Sequence, residues 1–165
     1  MKNLYLIRHA KASWEHPELP DFDRPLIEMG EQQAHMMASQ LKEQKLMPDG
    51  IVSSTAVRAL ETAKIMSKDL DFPAEKIVTN EILYSGSVEE IIELIKDSDP
   101  AWNTVCLFAH NPNLTWLAHY LCDAARMNIP TCGVVGINFE MKSWKKLVTT
   151  EGSLLTFIYP PHEHA

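Results

Sequence analysis

Arg8-His9, Arg58 and His110-Asn111-Pro112 are the fragments of this 165-residue chain whose residue types could do chemistry together. A planar guanidinium grips an oxyanion with parallel N–H donors, and a neutral imidazole can either attack or donate. Two of each in one crevice would suit a phosphoryl group. Guanidinium forks and the N–H groups of helix N-termini would hold its oxygens while an imidazole nitrogen attacks phosphorus. The arginines would keep that imidazole neutral, and the second histidine would donate to the transferring oxygens. Taken singly, each residue has an ordinary explanation: a histidine after a strand is usually a hydrogen-bonded surface or core residue, and Arg58 has Glu61 three positions on as an ion-pair partner. Only the set points to a reaction.

For the set to meet, the segments carrying it must end at the same edge of a sheet. Leu4-Tyr5-Leu6-Ile7, Ile51-Val52, Ile77-Val78 and Thr104 to Ala109 read as buried strands, with helical stretches between them. The expected fold is α/β, a three-layer α/β/α sandwich with a mostly parallel central sheet and an antiparallel edge strand. Ligands in such sheets bind beyond the carboxyl ends of the strands, where Arg8-His9, Ser53-Ser54-Thr55 and His110 fall. The helical stretches show Ala34, Met37, Ala38 and Leu41, then Ala59, Ala63, Met66 and Leu70, each at helical spacing. Ser87 with Glu90 forms a capping box ahead of Val88, Ile91, Ile92 and Ile95. Asn111 is expected to cap the next helix with Pro112 at its first position, ahead of Leu114, Leu117, Ala118 and Leu121. Ser53 and Ser54 are read as helix caps rather than ligands. Gly133 to Phe139, Trp144 to Val148 and Leu154 to Tyr159 read as three further strands. Residues 1–159 form one expected domain and 160–165 a flexible tail. The segment from Lys11 to Pro25 reads as a surface loop in which Trp14 packs or lines a pocket mouth.

Composition narrows the partners. The chain carries 15 basic and 22 acidic residues, for a net charge of −7, which disfavours polyanionic partners, so neither nucleic acid nor an anionic membrane is expected. No run of apolar residues is long enough to span a bilayer, and the N-terminus lacks the hydrophobic stretch of a signal peptide, so the expected address is cytoplasmic. Cys106, Cys122 and Cys132 are odd in number, lack CxxC spacing and read as reduced core residues. His162 and His164 could chelate a metal adventitiously, but no metal role is assigned to them. The six glycines form neither GxGxxG nor a P-loop, which weakens a nucleotide-binding reading.

Leu6-Ile7-Arg8-His9-Ala10, Ser53 through Ala63 and Ala109-His110-Asn111-Pro112 resemble the histidine phosphatase, or phosphoglycerate mutase-like, superfamily. Asp21-Phe22-Asp23-Arg24-Pro25-Leu26 with Gly30, in a short chain, is most similar to its SixA-type phosphohistidine phosphatases. The resemblance implies a metal-independent phosphatase needing no cofactor, with His9 as the phospho-accepting nucleophile. It makes Arg8, Arg58 and His110 the residues that bind the phosphoryl group. Asn80 to Tyr84 resembles the segment where other members place an acid, making Glu81 the candidate proton donor. Ala10 and Ala109 stand where the commoner signature has glycine. The expected partner is a phosphohistidine-bearing protein. The alternatives are a small phosphorylated substrate, for which Glu81 would matter more, and a catalytically silent phospho-ligand binding module. A mutase would need an enclosed site and is less favoured. The sequence sets no oligomeric state.

Overall fold

Side chains two apart on a strand share a face, and here both faces are apolar. In the computed structural model, which describes residues 1–161, β1 (Lys2–Arg8) sends Leu4 and Leu6 into one core and Tyr5 and Ile7 into the other. β4 (Thr104–Ala109) does the same with Val105 and Leu107 against Cys106 and Phe108. Strands buried on both sides belong inside a sheet covered by helices. β2 (Gly50–Ser53), β3 (Val78–Thr79), β5 (Val134–Phe139) and β6 (Ser153–Ile158) complete a six-stranded sheet of order β3-β2-β4-β1-β5-β6. β3, β2, β4 and β1 are mutually parallel; β5 is antiparallel to β1, and the edge strand β6 is antiparallel to β5.

α1 (Glu28–Glu43) and α2 (Val57–Asp69) cover one face through Ala34, Met37, Ala38, Leu41, Ala63 and Met66. α4 (Val88–Lys96) and α5 (Asn113–Leu121) cover the other, with the one-turn α3 (Ile82–Ser85) beside them. This is the expected α/β/α sandwich. The Ser87–Glu90 capping box is formed in both directions. All three cysteines are buried and free.

Three local expectations need correction. Trp144 to Val148 is not a strand: Trp144–Lys146 is a 3-10 turn. Its apolar residues Trp144 and Leu147 are three apart, the spacing of a 3-10 turn rather than of a pleat, and both are buried while Lys145 and Lys146 point outward. Pro112 is the N-cap of α5, one place earlier than expected, after a cis Asn111–Pro112 bond. The Asn111 side chain still accepts the Thr115 N–H, at 3.2 Å. Ser53 and Ser54 do not cap α2, because that helix starts later, with Ala56 at its N-cap. Pro160 is buried at the rim of a cavity described below, and His162-Glu163-His164 lies outside the described residues.

One glycine matters for the site. A Cβ on Gly30, in the first turn of α1, would stand 2.1 Å from the Lys11 carbonyl oxygen, and that carbonyl also accepts the Ile27 N–H at 3.1 Å. The close approach seats the segment just after His9 against α1. Gly30→Ala should therefore destabilise the fold by about 1–3 kcal/mol, the usual effect of overpacking against a rigid neighbour. It should also lower activity among the molecules that remain folded. Urea denaturation and an assay of the folded fraction check both expectations, and an unchanged midpoint contradicts the first.

Candidate active site

β1, β4 and β2 are adjacent and parallel, so their carboxyl ends share one edge of the sheet. Arg8 is the last residue of β1 and pairs with Ala109, the last residue of β4. The residues that follow are therefore neighbours: the His9 and His110 rings stand 5.1 Å apart, centroid to centroid. The His9 main chain is held from the other side too. Its carbonyl accepts the Cys132 N–H at 3.0 Å, and the Arg8 N–H donates to Gly133 O at 3.0 Å.

Hydrogen bonding sets the tautomer of His9. Nδ1 lies 2.8 Å from the Ala10 carbonyl oxygen, which can only accept, so Nδ1 carries the proton and Nε2 keeps its lone pair. The Arg58 Nε–H donates toward Nε2 at 3.4 Å. Burial, opposed by the Ala10 bond and reinforced by Arg58, Arg8 and Arg24, pulls the His9 pKa down to about 4. Burial, with His9, Arg58 and Arg8 outweighing Asp21, pulls His110 down to about 3. Both rings are neutral at physiological pH.

That neutrality has a consequence for stability. The unfolded chain takes up protons near pH 6.5, and the folded chain refuses them until about pH 4 at His9. The contribution is thus fully present above about pH 6.5 and is lost as pH falls through that window. Urea midpoints should drop between pH 7 and pH 4.5, and a His9→Asn/His110→Asn double variant should drop less. Equal slopes would contradict the linkage.

Neither Ala10 nor Ala109 has a positive φ, so nothing in the backbone requires glycine there. Ala10 is fully buried, and its N–H donates to Thr62 Oγ1 at 3.0 Å. The extra methyl is absorbed by the core.

Arg58 is 7% exposed and does not pair with Glu61, whose carboxylate instead accepts the Leu26 N–H. Its partner is Asp21, on a 3-10 turn at Asp21–Asp23: Nη1 donates to the Asp21 carbonyl at 2.8 Å and Nη2 to its carboxylate at 3.0 Å. Arg24 Nη1 and the Tyr84 hydroxyl donate to the same carboxylate at 2.8 and 2.9 Å. Burial pushes the Asp21 pKa up, but the bonds from Tyr84, Arg58 and Arg24 and the charge of Arg58 outweigh it, and the net shift is downward. Arg8 Nη1 donates to Ile129 O at 3.1 Å, while Arg8 Nε and His110 Nδ1 are buried without a partner. His110 Nε2 lies 2.8 Å from Ser54 Oγ, which also accepts the Ala56 N–H. With the Ser54 hydroxyl proton directed at Nε2, the proton of neutral His110 sits on Nδ1.

His9, Arg8, Arg58 and His110 are thus brought together. Glu81 makes no bond to them: it lies exposed ahead of α3, and its carboxylate makes no hydrogen bond among the described residues. Its neighbour Tyr84 reaches the cluster instead. Sequence reasoning gave no site role to Asp21, Arg24, Tyr84 or Ser54, although the Asp21/Arg24 spacing of three is itself the signal of an ion pair on one turn. A cavity of about 460 Å³ opens beside His9, lined in part by Arg8, Trp14, Arg24, Gln33 and Pro160. Trp14 is 78% exposed, and the Arg24 guanidinium stacks over its ring at 3.5 Å.

The family model of the histidine phosphatase superfamily (branch 1) matches residues 4–83. An uncharacterised chloroplastic protein of Arabidopsis thaliana is 31% identical over 159 residues, covering 92% of this chain and 72% of its own length. The chain belongs to the histidine phosphatase superfamily. Within it, the fold is SixA-like. A structure assigned as the phosphohistidine phosphatase SixA of Agrobacterium tumefaciens is 28% identical, with a TM-score of 0.80 over 97% of this chain and 99% of that one. The protein histidine phosphatase SixA in complex with tungstate shares the fold at a TM-score of 0.81 and 19% identity, over 95% and 96% of the two chains. The mitochondrial serine/threonine-protein phosphatase Pgam5 of Drosophila melanogaster is 35% identical over 88 residues, which are 52% of this chain and 29% of that protein. Superfamily membership together with these neighbours supports phosphatase activity on a phosphorylated substrate. No helix among the described residues is long and apolar enough to cross a membrane.

Proposed function

We propose that the protein is a metal-independent phosphatase that passes the phosphoryl group through His9 Nε2 to water, and that its substrate is phosphohistidine in a protein. The observation that carries this reading is the neutral His9 with its Nε2 lone pair facing the buried Arg58 guanidinium beside His110. Arg58 and Arg8 hold the phosphoryl oxygens, and the otherwise unpartnered Arg8 Nε and His110 Nδ1 supply donors to them. Proton donation from Glu81 is not part of this scheme. An imidazole is a better leaving group than an alkoxide and needs less help from an acid. The exposed Glu81, whose carboxylate makes no hydrogen bond among the described residues, fits that order of need. The three buried free cysteines fit a reducing compartment and favour a cytoplasmic address, whereas the Arabidopsis relative is named for the chloroplast.

The test is phosphate release in chelator from a phosphohistidine protein and from an aryl phosphate, side by side. Faster turnover of the phosphohistidine protein supports the reading. Hydrolysis of the ester alone, with dependence on Glu81, transfers the assignment to a small phosphorylated metabolite. Binding of phosphoprotein without turnover identifies a phospho-ligand module.

A further inference from the structure

A carboxylate bonded to the guanidinium that should hold phosphate works against a phosphoryl dianion, and Asp21 is such a carboxylate. Arg24, Arg58 and Tyr84 fill three of its roughly four acceptor positions, and its side chain is 51% exposed, at the outer rim of the cluster. Phe22 and Tyr84 meet edge to face at 5.2 Å beside it, and Tyr84 meets His110 in the same way at 5.5 Å. The Asp21 carboxylate, through Arg58, and the Tyr84 ring, backed by Phe22, therefore border the His9–His110 pair. That rim suits a flat aromatic cation and suits a second anionic group poorly.

We propose that Asp21 selects a phosphohistidine over a phosphate ester by accepting a hydrogen bond from the protonated imidazole leaving group. The proposal rests on the hydrolase reading above and names the residue that sets its substrate class. In the first step His9 Nε2 forms a bond to phosphorus, and the P–N bond of the substrate breaks with its electron pair going to the leaving nitrogen. Because the distal nitrogen of that ring carries a proton, the ring departs as neutral imidazole rather than imidazolate. Asp21 favours the protonated form and keeps its own charge throughout. In the second step the oxygen of water bonds phosphorus, and the P–Nε2 pair returns to His9, whose proton has stayed on Nδ1, donated to the Ala10 carbonyl. Both protons of the water remain with the released phosphate. An ester oxygen offers Asp21 no cation, so an ester meets only the repulsion.

The experiment compares kcat/KM on a phosphohistidine peptide and on p-nitrophenyl phosphate for the wild type, Asp21→Asn and Asp21→Glu. Asparagine keeps the size of the side chain and the Arg58 bond to the residue 21 carbonyl, but it removes the charge. The ratio of the two kcat/KM values should fall by about tenfold or more in Asp21→Asn, the effect of losing one charge-assisted hydrogen bond. Asp21→Glu should recover part of it. An unchanged ratio overturns the proposal. In that case parallel losses on both substrates mean that the carboxylate only positions Arg58, and parallel gains mean that it only crowds the phosphoryl group. A wild type that leaves the phosphohistidine peptide intact overturns the substrate reading itself, a result distinct from an unchanged ratio.

Discussion

His9→Ala should lower phosphate release by at least about 10³-fold on every substrate, because it removes the atom to which phosphorus is transferred. The variant should still fold. His9 is held mainly through its main chain, by bonds from Cys132 and to Ala109, and alanine keeps those bonds. Rapid acid-free quenching of the wild type with labelled substrate should trap a phosphoryl group on the protein, and the variant should trap none. Hydrolysis at the wild-type rate by His9→Ala would remove the covalent pathway from consideration.

Arg58→Lys should be nearly as damaging, at about 10²- to 10³-fold, the loss seen when one electrostatic stabiliser of a developing charge is taken away. The substitution keeps a positive charge, so a charge-only role predicts a mild effect. The geometry predicts otherwise. Arg58 uses Nε toward His9 Nε2 and Nη1 and Nη2 toward two different oxygens of Asp21, and a lysine ammonium cannot reproduce that planar fork. Both kcat and KM should worsen, since the same group orients the nucleophile and holds the phosphoryl oxygens. A change confined to KM would reduce Arg58 to an anchor for substrate.

The residues legible in the sequence share a property: each adjoins a strong local signal. Arg8-His9 and His110 follow apolar runs that can only be buried strands, and Arg58 opens a helix whose spacing is plain, so parallel pairing brings them to one edge. Asp21 and Tyr84 have no such anchor. Asp21 sits on a three-residue turn inside a proline-containing loop, and Tyr84 on a four-residue helix. Their meeting depends on the path of that loop over the sheet edge, which no periodicity encodes. Glu81 and Tyr84 illustrate the same gap. They are three residues apart, and which one reaches the site depends on how α3 is seated. Trp144 and Leu147 show that an apolar pair at spacing three, near the end of a run of strands, still makes a turn. Ala10 and Ala109 raised a question of backbone freedom that only dihedral angles could answer, and there the answer is ordinary geometry.

β1 carries the nucleophile, yet its two sheet partners are β4 and β5, which lie about a hundred residues and more further along the chain. During synthesis the first strand therefore emerges long before either neighbour exists. His9 acquires its adjacent imidazole only after residue 110 has left the ribosome, and its main-chain bond to Cys132 later still. Contacts of such long range form late and slowly. A nascent or prematurely terminated chain thus holds the reactive histidine without its neighbouring imidazole or the strands that seat its main chain, and competence appears only when nearly the entire sheet has closed.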